Sequence, residues 1–473
     1  MVFSSLLFLC AFLPLCLALY YLTPGVTGKN LVLTILSLVF YAFGEPVWVL
    51  LLVLCTAIHY LNGRIVQRYA GRPAATVSFW VTVAISLGLL CAFKYLNFLI
   101  GNLNLLLGLS IPASGLGLPL GISFYTFQTL AYAIDVHKGR TAAQRSFLEF
   151  LLFVSLFPQL TAGPILRHGD LAPQLRQRKT TAEGFSRGAV RFTCGLAKKV
   201  LLADHCSLAV TRLFVEQPLG NLQLAGAWLG ILMYAFQLYF DFSGYSDMAI
   251  GLGRMFGFEF AENFDHPYIS RSISEFWRRW HITLGAWFRD YIYFPLGGSR
   301  RGLGRQLLNM LAVWLLTGLW HGAGWNYVLW GLWFFLLLAA EKLLGKARLE
   351  RIPGLLSIPL TFLLVLLGRV LFYFESAGDS LTVFRAMLGL NGLWDPAARL
   401  LLIQNLPLLA VCILGSTPLP LRLATRWQAS VRDTRHGPAL TALPAAAYIC
   451  VLLALCLVSL AGASNSPFIY FRF

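Results

Sequence analysis

Apolar runs recur along the chain from Leu6 to Leu460, parted by short breaks of polar, Gly or Pro residues. They are long enough to cross or dip into a hydrocarbon layer ~30 Å thick, and roughly ten to twelve can be drawn by that rule. The first, Phe3 to Tyr21, has no basic leader and no small-residue cleavage site before Tyr20 and Tyr21. It therefore reads as a retained first helix and not as a secretory signal. No internal repeat or low-complexity linker interrupts the series, which predicts one all-α, polytopic membrane domain spanning 1–473.

Two departures from this pattern locate candidate chemistry. From Phe242 to Arg289 the chain is less apolar and rich in Gly, Ser, Asp, Arg and Trp, although apolar runs flank it. Irregular polar chain at bilayer depth is tolerated only where protein buries it or it lines a cavity. The second departure is the break Trp320-His321-Gly322-Ala323-Gly324. Basic loops at Arg300, Arg301 and Arg305 and at Lys342 to Arg351 both read as cytoplasmic, so the stretch between them enters and leaves on one side. A helix from about Leu307 to Trp320 rises ~21 Å, which sets His321 deep in the bilayer. Past an external loop with Glu375 and Asp379, the basic loop of Arg422 and Arg426 returns the chain to the cytoplasm. The final segment, 464–473, then reads as an external aromatic tail.

Composition agrees with this reading: 58% of the 473 residues are hydrophobic and 12% charged, more apolar surface than a water-soluble fold can hide. The net charge of +17 falls in short loops, where membrane orientation explains it and nucleic-acid binding is not called for. The stretch Arg176, Arg178, Lys179, Arg187, Arg191, Lys198 and Lys199 reads as a cytoplasmic amphipathic helix that anchors to anionic membrane lipid, with binding of a donor phosphate as the alternative. The nine cysteines form no C-x-x-C pair and read as small core residues.

Among ionisable residues, His321 is the strongest candidate, because a histidine at a break in an apolar segment is functional by default; the alternative is a hydrogen-bonded structural histidine. His281 comes second, within a belt that holds Trp277, Arg278 and Trp280 and continues to Asp290 and Tyr291; the alternative is an interfacial aromatic and arginine girdle. A third cluster, with Asp241, Ser243, Tyr245 and Asp247, either orients a histidine, binds a hydroxyl or satisfies itself. No H-x-x-x-H, H-E-x-x-H or Cys/His spacing occurs, so no metal site is expected. The absence of a G-x-S-x-G elbow favours direct transfer with a general base over an acyl-serine enzyme.

Taken in order, the blocks Leu118 to Tyr125, Ala162-Gly163-Pro164, Asp241 to Gly251, Ser274 to Thr283 with Arg289-Asp290-Tyr291, and Gly318 to His321 resemble the alginate O-acetyltransferase branch of the membrane-bound O-acyltransferase family. The resemblance implies about eleven transmembrane helices with re-entrant and amphipathic helices around a central funnel or tunnel, in a bacterial inner membrane. It matches His321 to the family's active-site histidine and His281 to its second polar position. It implies an acyl thioester donor, acetyl-CoA foremost, with no bound cofactor, and an extracytoplasmic polysaccharide acceptor of alginate or cellulose type. Peptidoglycan O-acetylation and teichoic acid D-alanylation are the alternatives within the class, and a transporter or flippase the alternative outside it.

In this reading Asp241, Ser243, Tyr245, Trp277, Arg278, Trp280, Asp290, Tyr291, Trp320, Trp325 and Asn326 line the tunnel or bind substrate, and nearby donors such as a Trp or Asn326 stabilise the oxyanion. Tyr470, in a tail similar to the aromatic-tyrosine end of envelope acylation systems, relays the acyl group to an external partner resembling SGNH-fold acetyltransferases; an interfacial anchor is the alternative. The chain departs from the family pattern at Gly368-Arg369-Val370, where relatives tend to carry a Phe-Arg pair, and the resemblance leaves Arg369 without a defined role.

Overall fold

Inside lipid a backbone can satisfy its polar groups only as helix or closed barrel, and this chain takes the helical solution. A computed structural model describes residues 1–394, 396–432, 437–462 and 468. Among them no strand occurs, only an isolated antiparallel bridge between Phe264 and Trp280. The helices that build or brace the candidate site are α1 (Trp48–Arg68), α2 (Pro73–Leu90), α3 (Leu96–Leu107), α4 (Ile122–His137), α5 (Ala182–Ala197), α6 (Leu224–Met255), α7 (Ile273–Arg279), α8 (Ile282–Phe288), α9 (Gly302–His321), α10 (Trp325–Leu344) and α11 (Gly354–Tyr373). A π-turn, Cys91–Tyr95, joins α2 to α3 in one rod.

Six helices among the described residues are long and apolar enough to cross a membrane: Trp48–Arg68, Pro73–Leu107, Trp325–Leu344, Gly354–Tyr373, Pro396–Gly415 and Leu443–Gly462. They are fewer than the roughly ten to twelve apolar runs, because that rule also admits segments that only dip into the bilayer. One run is divided at Leu156, before Pro158, into the short buried helices Phe147–Ser155 and Phe157–Leu160. Another lies in α6, which carries Asp241, Asp247 and Arg254 within its length.

Two sequence expectations change in the folded chain. The block from Asp241 to Asp247 is not irregular: it lies in the middle of α6, an unbroken helix of 32 residues. The helix continues because its polar side chains are satisfied by the facing helix. Arg191 and Lys198 reach Asp247 at 2.8 and 2.6 Å, and Lys199 reaches Asp241 at 2.7 Å. Glycines let the two helices touch. A Cβ on Gly195 would sit 2.6 Å from the Gly244 carbonyl oxygen, and one on Gly188 2.6 Å from that of Gly251, the small-residue packing typical of membrane helices.

The same contacts narrow the lipid-anchor reading of the basic stretch to its exposed members, Arg176, Lys179 and Arg187. Arg176 pairs with Glu149, Arg178 bonds Asn30, Tyr20 and the Phe256 carbonyl, and Arg191 also pairs with Glu262. These cations meet protein oxygens, which leaves few of them to face lipid headgroups.

Candidate active site

Glycines on either side of the turn fix the position of His321. It is the last residue of α9, and the chain turns through extended Gly322 into α10. The two helices lie so close that a Cβ on Gly318 would stand 2.3 Å from the Tyr327 carbonyl oxygen, and one on Gly331 2.4 Å from that of Trp314. The expected helix, turn and helix about residue 321 is therefore what the chain forms. The imidazole is 3% exposed and is boxed edge-on by Trp320, Trp330 and Phe372, with ring centroids at 4.9, 4.9 and 5.2 Å.

His281 arrives from the irregular chain between α7 and α8. Its φ of 48° is left-handed, and among the described residues only His266 shares that state without being glycine. A bulky residue held there is strained and must be fixed by its surroundings. Asn263 does this: its side-chain oxygen lies 3.2 Å from His281 Nδ1 and accepts hydrogen bonds from the Thr283 amide and hydroxyl, while its backbone carbonyl accepts one from the Ile282 amide. The ring is 2% exposed and stands 5.9 Å from Trp320 and 4.7 Å from Phe242. Trp320 thus touches both histidines, and the two sequence candidates converge on one aromatic box.

The box is braced from α10. The Glu341 carboxylate, near the far end of that helix, accepts hydrogen bonds from the backbone amides of Ile273 and Ser274 at 2.5 and 2.9 Å, which holds the first turn of the helix that leads to His281. Trp280 is buried against Phe264 and carries Arg369 over its face at 4.3 Å. Trp277 packs against Trp314 and Phe334. The indole N–H groups of Trp277, Trp320 and Trp330 and two guanidinium nitrogens of Arg369 are buried without an acceptor among the described residues. Buried donors left in that state are costly and uncommon, and they are what a site awaiting an oxygen of its substrate would keep.

The remaining sequence candidates divide. Asn326 is buried beside this turn. Asp241 pairs with Lys199, and Tyr245 lies 2.6 Å from the Thr161 hydroxyl; Ser243, between them on α6, is buried as well. Trp325 points outward, 61% exposed, and donates to Asn102, and Arg278 is exposed. Asp290 and Tyr291 are not at the histidines at all. Asp290 binds Arg167 and Arg289, and Tyr291 donates to Asp135 at 2.6 Å. Asp135, Arg167 and Asp290 line a surface cleft of about 410 Å³. Burial there pushes the Asp290 carboxyl up, but Arg289 and Arg167 hold it below the usual carboxylate range.

Sequence reasoning passed over Lys94, Asn263, Trp330 and Phe372, and named Arg369 without giving it a role. The signal for Lys94 was present, since it is a lone ammonium inside the apolar span Pro73–Leu107 and such residues are functional by default. The funnel expected to open on His321 is closed around the ring in this structure. Tyr470 and the rest of the tail lie outside the described residues, apart from Phe468. That residue is 1% exposed and packs edge-on against Tyr245 at 4.7 Å, with Lys199 5.0 Å from its centroid.

A model of the membrane-bound O-acyltransferase family matches residues 36–348. The chain is 44% identical over 400 residues to the probable alginate O-acetylase AlgI of Pseudomonas aeruginosa, covering 84% of this chain and 76% of that protein. With the probable alginate O-acetylase AlgI of Pseudomonas putida it shares 40% identity over the whole of both chains. It is also 34% identical to a peptidoglycan O-acetyltransferase of Helicobacter pylori, over 83% of this chain and 80% of that one.

Proposed function

The chain belongs to the membrane-bound O-acyltransferase family, and on that premise we propose that this multi-pass membrane O-acetyltransferase uses His321 as the general base of acyl transfer. The observation that carries the reading is the box itself: a buried imidazole at the end of α9, surrounded by rings and by indole N–H groups without acceptors among the described residues. In the reaction, a neutral His321 accepts the proton of an acceptor hydroxyl as its oxygen attacks the thioester carbonyl. The carbonyl oxygen gains charge, the C–S bond breaks, and the thiolate leaves with a proton. Base assistance of this kind is worth about 10²- to 10⁴-fold, and donors aimed at the oxyanion add to it. His281 positions the other wall of the box through Trp320.

The donor is acetyl-CoA entering from the cytoplasm. The final acceptor is an extracytoplasmic polysaccharide, alginate-like in view of the names of the relatives at 44% and 40% identity. Tyr470 relays the acetyl group. Support comes from Phe468, two residues earlier in the chain, which is buried beside Tyr245. A partner of the SGNH type in the bacterial inner membrane's outer compartment then takes the group to polymer.

The test uses the purified full chain with acetyl-labelled acetyl-CoA, comparing wild type with His321→Ala and Tyr470→Phe. Loss of transfer in the first supports the base, and loss of protein-bound label in the second supports the relay. Unchanged labelling in the histidine variant overturns the mechanism; in the tyrosine variant it overturns only the relay.

A further inference from the structure

The end of α9 leaves carbonyls without helical partners, as every helix end does, and these are met from another helix. Lys94 Nζ donates to the Trp320 carbonyl and lies 3.4 Å from the Ser123 hydroxyl of α4, and Tyr95 donates to the Leu319 carbonyl at 2.7 Å. Two adjacent side chains reach two adjacent carbonyls because they sit in the π-turn Cys91–Tyr95, whose wider winding re-aims the face of the rod; such turns gather at functional sites. The ammonium also lies 5.8 Å from the Trp320 ring. The carbonyl it holds is one peptide bond from His321.

A cap does not require a charge. Tyr95 does the same work next door with a neutral hydroxyl, and an ammonium in the interior of a membrane protein is costly to desolvate. The partners that Lys94 meets are neutral oxygens, so its charge is left to act on the surroundings. We propose that Lys94 is a positioning residue for acyl transfer: it fixes the last turn of α9, and with it the imidazole of His321, and it places a positive charge beside the site where the thioester oxygen becomes negative. The inference rests on the reading of His321 as the base. It adds a residue on α2–α3 to a site otherwise built from α9, α10, α11 and the chain around His281.

The experiment measures thiol release from acetyl-CoA by the full-length protein in detergent with an alginate oligosaccharide present as the acetyl acceptor, with kcat and KM separated, for wild type, Lys94→Gln, Lys94→Arg and His321→Ala. Lys94→Gln keeps a hydrogen-bond donor and removes the charge. Its kcat falls about a hundredfold, the scale of a small misplacement of a catalytic group, while KM for the donor stays within about threefold and the thermal midpoint is preserved. Lys94→Arg recovers most of the kcat. A wild-type kcat in Lys94→Gln overturns the inference, as does a loss that Lys94→Arg shares and that follows a fall in the thermal midpoint, because the role is then structural. Wild-type activity in His321→Ala would instead bring down the general-base reading, whereas an inactive His321→Ala beside a fully active Lys94→Gln removes only the positioning role of Lys94.

Discussion

Two helix pairs in this bundle approach through glycine, α5 with α6 and α9 with α10, and they treat their buried polar groups in opposite ways. Where α5 and the π-turn that follows it, Lys198–Ala203, cross α6, Arg191, Lys198 and Lys199 are matched to Asp247 and Asp241 at 2.6 to 2.8 Å. Where α9 turns into α10, a histidine is set among rings, and nearby indole N–H groups keep no acceptor among the described residues. The first arrangement closes its electrostatics internally and serves assembly. The second leaves them open and serves chemistry. Glycine contact is common to both, so close approach alone does not mark a site; the state of the polar groups does.

The contrast is tested most severely at its two centres. His321→Ala is expected to lower acetyl transfer by about 10²- to 10⁴-fold, with a thermal midpoint in detergent close to that of wild type; a comparable loss of stability would place the histidine with the structural crossing. Lys199→Met should do the reverse. Its side chain and that of Asp241 are 3% and 2% exposed, and breaking such a pair costs about 3–5 kcal/mol because a charge is left buried. The double variant Lys199→Met/Asp241→Leu should regain much of that loss in denaturant unfolding, and a double variant no more stable than the single one would give the pair a role beyond packing.

Smaller effects refine the boundary between the two. Gly318→Val forces α9 from α10 and is expected to lower stability by about 1–3 kcal/mol while also reducing kcat, because the carbonyls around His321 shift with the helix; unaltered kinetics would detach the glycine contact from the site. Asp290 belongs to neither crossing and lies outside the spanning helices. Its folded carboxyl is depressed by Arg289 and Arg167, so its contribution to stability is present above the unfolded value of about 3.9 and is lost as pH falls through the lower folded value. Asp290→Asn should therefore flatten the acid side of the stability profile and leave the neutral side's slope as it was. Trp325→Phe, on an outward-facing ring, should change stability by no more than about 0.5 kcal/mol and leave transfer intact; lost transfer would return this ring to the site.

The sequence made the hairpin legible because its signals are local: an apolar run, a Gly-rich break, and loops of one charge sign on both sides. His281 was legible as a candidate but its strained backbone was not, since that depends on Asn263 arriving from 18 residues earlier in the chain. The α5–α6 crossing was misread for a physical reason. A row of cations on a helix looks the same whether it faces headgroups or the carboxylates of a distant helix, and only the tertiary pairing of Lys198 with Asp247, 49 residues away, decides it. Asp290 and Tyr291 were drawn into the site because they follow the His281 block closely, yet α8 turns them toward Arg167 and Asp135. Arg369 was noticed but given no role, because a single arginine near a helix end ordinarily snorkels, whereas this one stacks on Trp280.

One brace has a mechanical corollary. Helix α10 starts four residues after His321 and rises ~24 Å to the Glu341 carboxylate that grips the amides of Ile273 and Ser274. It is a strut with one histidine hinged at its head and the segment bearing the other clamped near its foot. A gate that drew the backbone of the His281 segment away from α10 would have to break that clamp, so backbone opening of the chamber is expected to carry α10 and that segment together and to displace the walls around them.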